Sequence, residues 1–437
     1  MSTHLNSEKS GRPVVILGGF RTPWAKAGTR LARVHAAELA RIPAEELLLR
    51  LEIPVTEIDE VLFGNVAQPP DAANIARVIA LRLGLPTQTP AVTVHRNCAS
   101  GMEAISQAFD KIRFGLADLV LVGGTESMTN IPFLFPESYQ RKLVQLGRAK
   151  TVVEKVGAVS SFRPRDLKPV FGIEEGLTDP VCDQNMGDTA ENLAREFGIS
   201  REEQDAYALE SHLRAVRAAD EGFFTGEIAP VLAPPDYEAV EGDVGPRKGQ
   251  TMKALAKLRP FFDRHLGTVT VGNSCPITDG GCALLVASEE KARELGREPL
   301  GRILSYSYRG CPPERMGLGP AFATPEALDR AGLTLSDIDR VELNEAFAAQ
   351  VIANQIAFES EEFAVKELGR FEPTGRLDPE RLNVNGGAIA LGHPVGATGA
   401  RLVLTLLREL ARKDLRRGLA TLCVGGGQGA AMVVERR

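Results

Sequence analysis

At 437 residues the chain can bury a sizeable core, as one extended or two packed domains. Its 43% hydrophobic content, 43 glycines and 5% aromatic residues suit an α/β protein, and a net charge of −6 argues against a nucleic-acid or other general polyanion binder. Its six cysteines form no CxxC pair and no Cys/His zinc spacing, so no metal site is expected, and reduced thiols in a cytoplasmic compartment are.

In chain order, the polar start MSTHLNSEKSGRP lacks the apolar stretch of a secretory signal and the arginines of a transit peptide. Val14 to Leu17, Glu60 to Phe63 and Ala91 to Val94 read as strands between helical stretches, the alternation of βαβ units in a mostly parallel sheet. Cys98 follows on a strand-to-helix turn, VHRNCASGM. Apolar residues then recur at Met102, Ile105, Ala108, Phe109 and Ile112 with the period of an amphipathic helix, and Asp118 to Gly124 reads as a buried strand. A thiol at a helix N-terminus sits at the positive end of the helix dipole, which predicts a lowered pKa and a nucleophile at neutral pH. The ordinary alternative is a buried structural cysteine.

From about 131 to 259 the texture changes, with Pro132, Pro136, Pro164, Pro169, Pro180, Pro230, Pro234 and Pro235 punctuating it. Asp188 to Glu191 and Ser200 to Glu203 read as capping boxes, the second opening a helix with Ala206, Leu209, Leu213 and Val216 as its apolar positions. This stretch is an inserted helical and loop subdomain. From Pro260 onward, Thr268 to Val271 and Cys282 to Ala287 are expected to complete the first sheet. A second α/β unit runs from about Leu300. Its helix, Ala397 to Leu410, carries Leu402, Val403, Leu406, Leu407 and Leu410 on one face, and Leu419 to Gly427 follows as strand and glycine turn. The same helix, strand and glycine-turn order follows Cys98, so the chain reads as two related halves. No apolar run approaches the roughly 18 residues that span a bilayer, and the ending Val-Glu-Arg-Arg437 matches no peroxisomal or lipidation tag.

Four further segments concentrate chemistry: Gly272 to Gly280, Asn344 to Gln350 (NEAFAAQ), Asn383 to Gly399 with His393 between glycines, and Cys423 to Gly429. Singly, each has an ordinary explanation as a turn, a loop or a helix cap. The glycines do not form a nucleotide-binding GxxxxGK[ST] or an early GxGxxG. Together they supply a nucleophile in Cys98, a base in His393, a second acid/base in Cys423 that can pass a proton to a carbanion, and an unobstructed backbone N–H at Gly425.

At RNCASGMEAI, NEAFAAQ, NVNGGAIALGHPVGATGARL and CVGGGQG, in that order, the chain resembles the thiolase family, from about residue 13 to its C-terminus. The resemblance implies an α/β thiolase fold. Two similar five-stranded βαβαβαββ halves pack face to face in αβαβα layers, with 13–130 plus 260–298 as the N-terminal half, 131–259 as an inserted CoA-binding loop domain, and 299–437 as the C-terminal half. It implies that Cys98 carries the acyl group as a thioester, that His393 activates Cys98 and then CoA, and that Cys423 exchanges a proton with the acetyl-CoA enolate. Asn344 would hold a water that forms one oxyanion hole with His393, and the N–H groups of Cys98 and Gly425 would form the other. CoA, a co-substrate rather than a prosthetic group, would meet Leu258, Phe262, Val271, Cys275, Ala346 and Phe347, with Arg247 at its adenine or phosphate end. A homodimer or homotetramer is implied.

Within the family, the long segment Ser360 to Pro379, the run Met186 to Glu191 and the basic, apolar-interleaved loop Arg141 to Val170 look like the thiolase subunit of fatty-acid oxidation complexes. That likeness implies a degradative 3-ketoacyl-CoA thiolase (acetyl-CoA C-acyltransferase) of broad chain length. In that subfamily such a loop touches a membrane surface or a hydratase/dehydrogenase α-subunit; its ordinary reading is a solvated helix pair. Those subunits typically carry histidine where this chain has Asn344, which points to an enzyme outside a trifunctional complex. Cys275 stands where many relatives have serine. Asn185-Met186 stands where acetoacetyl-specific members often carry His-Met, which argues against the main rival, an acetoacetyl-CoA thiolase (acetyl-CoA C-acetyltransferase). A β-ketoacyl carrier-protein synthase is disfavoured by Cys423, and a non-catalytic lipid carrier by the intact catalytic positions.

Overall fold

The computed structural model describes residues 11–436. Residues 1–10 and Arg437, on which most of the targeting and tag expectations rest, lie outside the described residues. The first half runs β1 (Val14–Arg21), α1 (Ala36–Arg50), β2 (Glu60–Gly64), α2 (Ile75–Arg82), β3 (Ala91–Val94), α3 (Ser100–Arg113) and β4 (Leu119–Ser127). The chain then leaves the sheet through α4 (Glu137–Arg148), α5 (Val152–Ser160), α6 (Met186–Glu196) and α7 (Arg201–Asp220), and returns as β5 (Thr278–Ser288). The second half runs β6 (Gly301–Gly310), α8 (Gly319–Ala331), β7 (Arg340–Leu343), α9 (Ala348–Glu359), α10 (Val395–Arg412), β8 (Arg417–Val424) and β9 (Gln428–Glu435).

The strand order is β7-β8-β9-β6-β1-β5-β4-β2-β3, with the two-residue strand Ala25–Lys26 added on β5. Four strands of each half correspond. β2 pairs parallel with β3 and β4 as β7 pairs parallel with β8, and β4 meets β5 antiparallel as β8 meets β9. The first strands of each half, β1 and β6, join at the pseudo-symmetric centre through Val15↔Arg302 and Ile16↔Gly301. One expected detail differs: the fifth strand of the second half is reduced to the single bridge Val341↔Leu382. Beyond it Asn383 adopts a positive φ of 46° and gives its side chain to Leu343, so the ladder stops there.

Five layers follow from where the apolar faces go. One face of the first sheet packs on α1 and α2, and one face of the second on α8 and α9. The two facing surfaces enclose α3 and α10 in the central core. The period-3.6 stripe predicted for α3 is buried there throughout. α10 is buried at fourteen of its eighteen positions, as a helix covered on all sides must be.

Four sequence expectations are corrected. The sheet is not mostly parallel: β2 with β3, β2 with β4 and β7 with β8 run parallel, while β1, β5, β6 and β9 enter antiparallel, because the chain returns to the sheet through long excursions or hairpins rather than right-handed crossovers. Thr268 to Val271 is not a sheet strand. The amides of Thr268 and Val269 donate to the Glu191 carboxylate and that of Thr270 to the Asn273 side chain, so side chains replace a neighbouring strand. Glu191 is therefore not a capping-box residue; the box that opens α6 is Asn185 with Asp188. The Ser200–Glu203 box is present, but α7 buries Ala208, Ser211, His212 and Ala215 while Leu213 stays 45% exposed. Polar bonds hold that face: Gln204 donates to Thr268, and Tyr207 and Ser211 donate to Glu345.

Candidate active site

The turn before α3 is built to present Cys98. Ser100 Oγ accepts from the Arg96 amide and donates to the Asn97 carbonyl, closing the turn on itself. Asn97 takes φ 42°, a left-handed conformation that asparagine tolerates better than most residues. Its side-chain amide donates to the Gly425 carbonyl at 2.7 Å, tying the turn to the glycine hairpin between β8 and β9. Arg96 adds a second tie, to Gln428 on β9 at 3.0 Å, with its guanidinium 4.1 Å from the Tyr308 ring on β6. The nucleophile candidate of one half is thus clamped by residues of the other.

His393 arrives by the matching route. It precedes α10, and α10 crosses α3 through glycines. A Cβ on Gly101 would lie 2.8 Å from the Ala400 nitrogen, and one on Gly399 2.6 Å from the Met102 nitrogen. Only hydrogen at these positions lets the two helix N-termini come together. The His393 amide donates to Thr278 Oγ1, and its Nδ1 lies 2.6 Å from Thr398 Oγ1. That hydroxyl gives its own proton to the Pro394 carbonyl, so it accepts from His393 Nδ1–H. The lone pair is left on Nε2, which is buried and has no partner among the described residues. Burial, and then the positive charge of Arg401, pull the imidazole from 6.5 down to about 3, so it is neutral at physiological pH.

The thiols behave differently from the expectation. Burial pushes the Cys98 thiol up, opposed by the N–H groups of Gly425 and Cys98 itself, with the Glu126 carboxylate raising it further. Desolvation outweighs the helix terminus here, so the resting group is a thiol awaiting a base rather than a preformed thiolate. Cys423, at the end of β8, is buried and held well above its ordinary value, first by burial and then by the nearby Cys98, Cys275 and Cys311 thiols. It is protonated at rest. Cys275 is pushed up to about 12 by burial and by Cys98. Cys423 is buried in one cluster with Ala346 and Phe347, the Cys275 amide donates to the Ala346 carbonyl, and Met186, packed on that cluster, lines a cavity with Cys98, so the three thiols share one neighbourhood. Asn344 is fully buried, with Nδ2 and Oδ1 both unpartnered among the described residues, an arrangement suited to a polar ligand.

Six of the seven residues expected to meet CoA are joined by contacts or adjacent in the chain. Phe262 and Phe347 meet edge to face at 6.0 Å, the Cys275 amide donates to the Ala346 carbonyl, and Leu258 packs beside Gly272, next to the 60%-exposed Val271. Arg247 stands apart, exposed, its amide 3.4 Å from His212 Nδ1 on α7. Cys98, Gly425 and Met186 line a cavity of about 620 Å³ whose wall is mostly apolar, including Val66, Met128, Ile131, Leu134, Ile173, Leu177 and Val181. A groove of about 900 Å³ along α4 and α5 is larger but holds none of the candidate catalytic residues.

Sequence reasoning missed the positioning groups. Thr398 was detectable, five residues past His393 on a helix whose first turn faces back. Asn97 beside the cysteine carried a weaker signal. Met186, noted in the sequence only as part of Asn185-Met186 and the run that follows, has its Sδ 3.3 Å from where a Gly425 Cβ would be. Glu126 carried no signal.

The comparisons agree with this architecture. The family model "Thiolase, N-terminal domain" matches residues 14–290, and "Thiolase, C-terminal domain" matches residues 297–436. The 3-ketoacyl-CoA thiolase of Yersinia pestis (strain Pestoides F) is 42% identical over 428 residues, 98% of each chain. Among solved structures, the Bacillus anthracis acetyl-CoA acetyltransferase superposes with a TM-score of 0.85 at 37% identity, covering 98% of this chain and 99% of that one. Human mitochondrial 3-ketoacyl-CoA thiolase in complex with CoA does so at 0.84 and 36%, covering 98% of both. These matches define the class, an acyltransferase built from two related α/β halves. The chain belongs to the thiolase family.

Proposed function

We propose that this enzyme cleaves 3-ketoacyl-CoA with CoA, giving acetyl-CoA and an acyl-CoA two carbons shorter, as the name of its Yersinia relative describes for that protein. The observation that carries the mechanism is the unprotonated, unpartnered Nε2 of His393, on a helix packed against that of Cys98. In this scheme Nε2 takes the Cys98 proton as sulfur attacks the 3-carbonyl. The C2–C3 bond breaks, and Cys423 protonates the enolate carbon, releasing acetyl-CoA. The proton on His393 restores Cys423. His393 then takes the proton of the incoming CoA thiol, which attacks the thioester, and returns it to Cys98. The N–H groups of Cys98 and Gly425, and Asn344 with His393, stabilise the oxyanions. Leu258, Phe262, Val271, Cys275, Ala346 and Phe347 hold CoA, with Arg247 toward its phosphate or adenine end.

The apolar cavity beside Cys98 favours substrates longer than acetoacetyl-CoA. We assign the parts as 13–130 plus 260–298, 131–259 and 299–437, the middle one serving CoA. The free cysteines of the described residues suit a cytoplasmic enzyme, and none of the described helices is long and apolar enough to cross a membrane. A homodimer or tetramer is proposed. The α4–α5 hairpin, with Val152, Val153 and Val156 exposed, is its proposed contact with a hydratase/dehydrogenase subunit or a membrane surface. The test is CoA-dependent loss of acetoacetyl-CoA and 3-ketohexadecanoyl-CoA, repeated with Cys98→Ala. The longer substrate should be cleaved at least as well, and the substitution should abolish both reactions. Activity confined to acetoacetyl-CoA would replace this reading by an acetyl-CoA acetyltransferase, and activity surviving in Cys98→Ala would remove the nucleophile.

A further inference from the structure

Glu126, at the end of β4, is fully buried and has no part in the chemistry above. Its carboxylate accepts four hydrogen bonds, all at 3.0 Å. Oε1 takes the Asn65 side chain and the Ala67 amide, while Oε2 takes the Val66 amide and the Gly396 amide. The first three donors belong to the loop after β2, where Val66 and Ala67 form part of the wall of the Cys98 cavity. The fourth lies in the first turn of α10, three residues beyond His393. Oε2 therefore joins the substrate wall of one half to the histidine-bearing helix of the other. A Cβ on Gly396 would meet the Thr125 carbonyl at 2.6 Å, Glu126 Oε2 at 2.8 Å and the Asn65 Cα at 3.1 Å, so the helix start lies directly against the end of β4 and its loop.

We propose that Glu126 is a positioning residue: it holds the Val66–Ala67 wall and the His393 segment in one register and so sets the placement of His393 against Cys98. The proposal rests on the thiolase reading. Its electrostatic consequence is separate from turnover. Asp279 on β5, opposite Ser127 and bonded to Thr129, adds negative charge near Glu126, while the contacts of Glu126 from the loop and from α10 are neutral amides. Burial holds the Glu126 carboxyl up at about 7. Its negative charge raises the Cys98 thiol, which also lies near the Cys275 and Cys423 thiols. Taking the charge away should lower the thiol's titration.

The experiment pairs Glu126→Gln with Glu126→Asp in the full chain. Three quantities are read: kcat and KM for 3-ketoacyl-CoA and CoA, the pH profile of Cys98 alkylation by iodoacetamide followed by peptide mass, and the thermal midpoint. In Glu126→Gln one oxygen becomes an NH2 facing two N–H donors. We expect kcat to fall about 10- to 100-fold with the KM for CoA unchanged, and alkylation to titrate at lower pH than in the wild type. Glu126→Asp keeps the charge but cannot reach both segments. It should lose kcat while Cys98 titrates as in the wild type. A Glu126→Gln kcat within twofold of wild type, or an alkylation profile that does not move, overturns the proposal. If Glu126→Gln does not fold, Glu126→Asp decides: wild-type kcat overturns the proposal, and depressed kcat with an unmoved profile supports it. Wild-type protein that fails to cleave 3-ketoacyl-CoA would instead overturn the thiolase reading, and the alkylation profile would still report on Glu126.

Discussion

The Thr398 hydroxyl decides which nitrogen of His393 is basic. Because that hydroxyl is already donating to Pro394, it can only accept from the ring, and the proton is confined to Nδ1. Thr398→Val removes the acceptor and frees the tautomer; kcat for thiolysis should drop about 10- to 100-fold, a part of what a general base supplies. The pH dependence follows from the same residue. A histidine held at about 3 is already neutral above pH 5, so acidification from pH 8 to pH 5.5 should not cost kcat/KM through His393. On the alkaline side, ionisation of Cys98 only supplies the attacking thiolate, so loss is expected where the proton donor Cys423, held well above its ordinary value by burial, gives up its proton. Steady-state kinetics across this range check both limbs. A fall of kcat/KM with a midpoint near 6.5 would mean an ordinary, solvated imidazole.

At the scale of elements, catalytic geometry depends on how closely α3 and α10 approach. Side chains are missing at Gly101, Gly396 and Gly399 because backbone from the other helix or from β4 occupies the space. Gly101→Ala should cost about 1–3 kcal/mol, the range for forcing extra atoms into a packed contact. Helix propensity alone would favour alanine by roughly 1 kcal/mol, so the sign of the effect separates packing from propensity. Denaturant midpoints measure it, and the same variant should lose kcat because the Cys98 turn moves with its helix. This contact also marks the limit of what the chain's pattern discloses. The apolar stripe of α3 and its length are visible in periodicity, and every stripe residue is buried as expected. The α7 stripe misled, because that helix is held by Tyr207, Ser211 and Gln204 through hydrogen bonds that hydropathy does not register. Thr268 to Val271 misled for the same reason, its amides being satisfied by Glu191 and Asn273.

For the whole molecule, the question is whether two related halves behave as one. β1 and β6 share only two residue pairs, a weak seam by itself. α10 compensates, buried between the sheets with partners in both halves. Its Arg401 pairs with Glu342 on β7 at 2.7 Å and lies 5.5 Å from the Trp24 ring. Trp24 is the single tryptophan of the chain and is fully buried, so its fluorescence reports on this seam. Urea unfolding followed by Trp24 emission and by far-ultraviolet circular dichroism should give coincident transitions. Two separated transitions would show halves that unfold independently.

The amino-acid order alone determined the alternation of strands and helices and the doubling of the fold, and it singled out Cys98, His393 and Cys423 as the residues proposed for catalysis. These are local properties: periodicity, turn chemistry and short motifs survive in one dimension. Tertiary structure decided the rest. It set the protonation of His393, reversed the expected shift of Cys98, and bonded Glu126, Asn97 and Thr398 to the segments that carry the candidate site. Each of those depends on desolvation or on a hydrogen bond whose geometry only the packed fold supplies, and burial is a property of the assembled halves that no single segment carries.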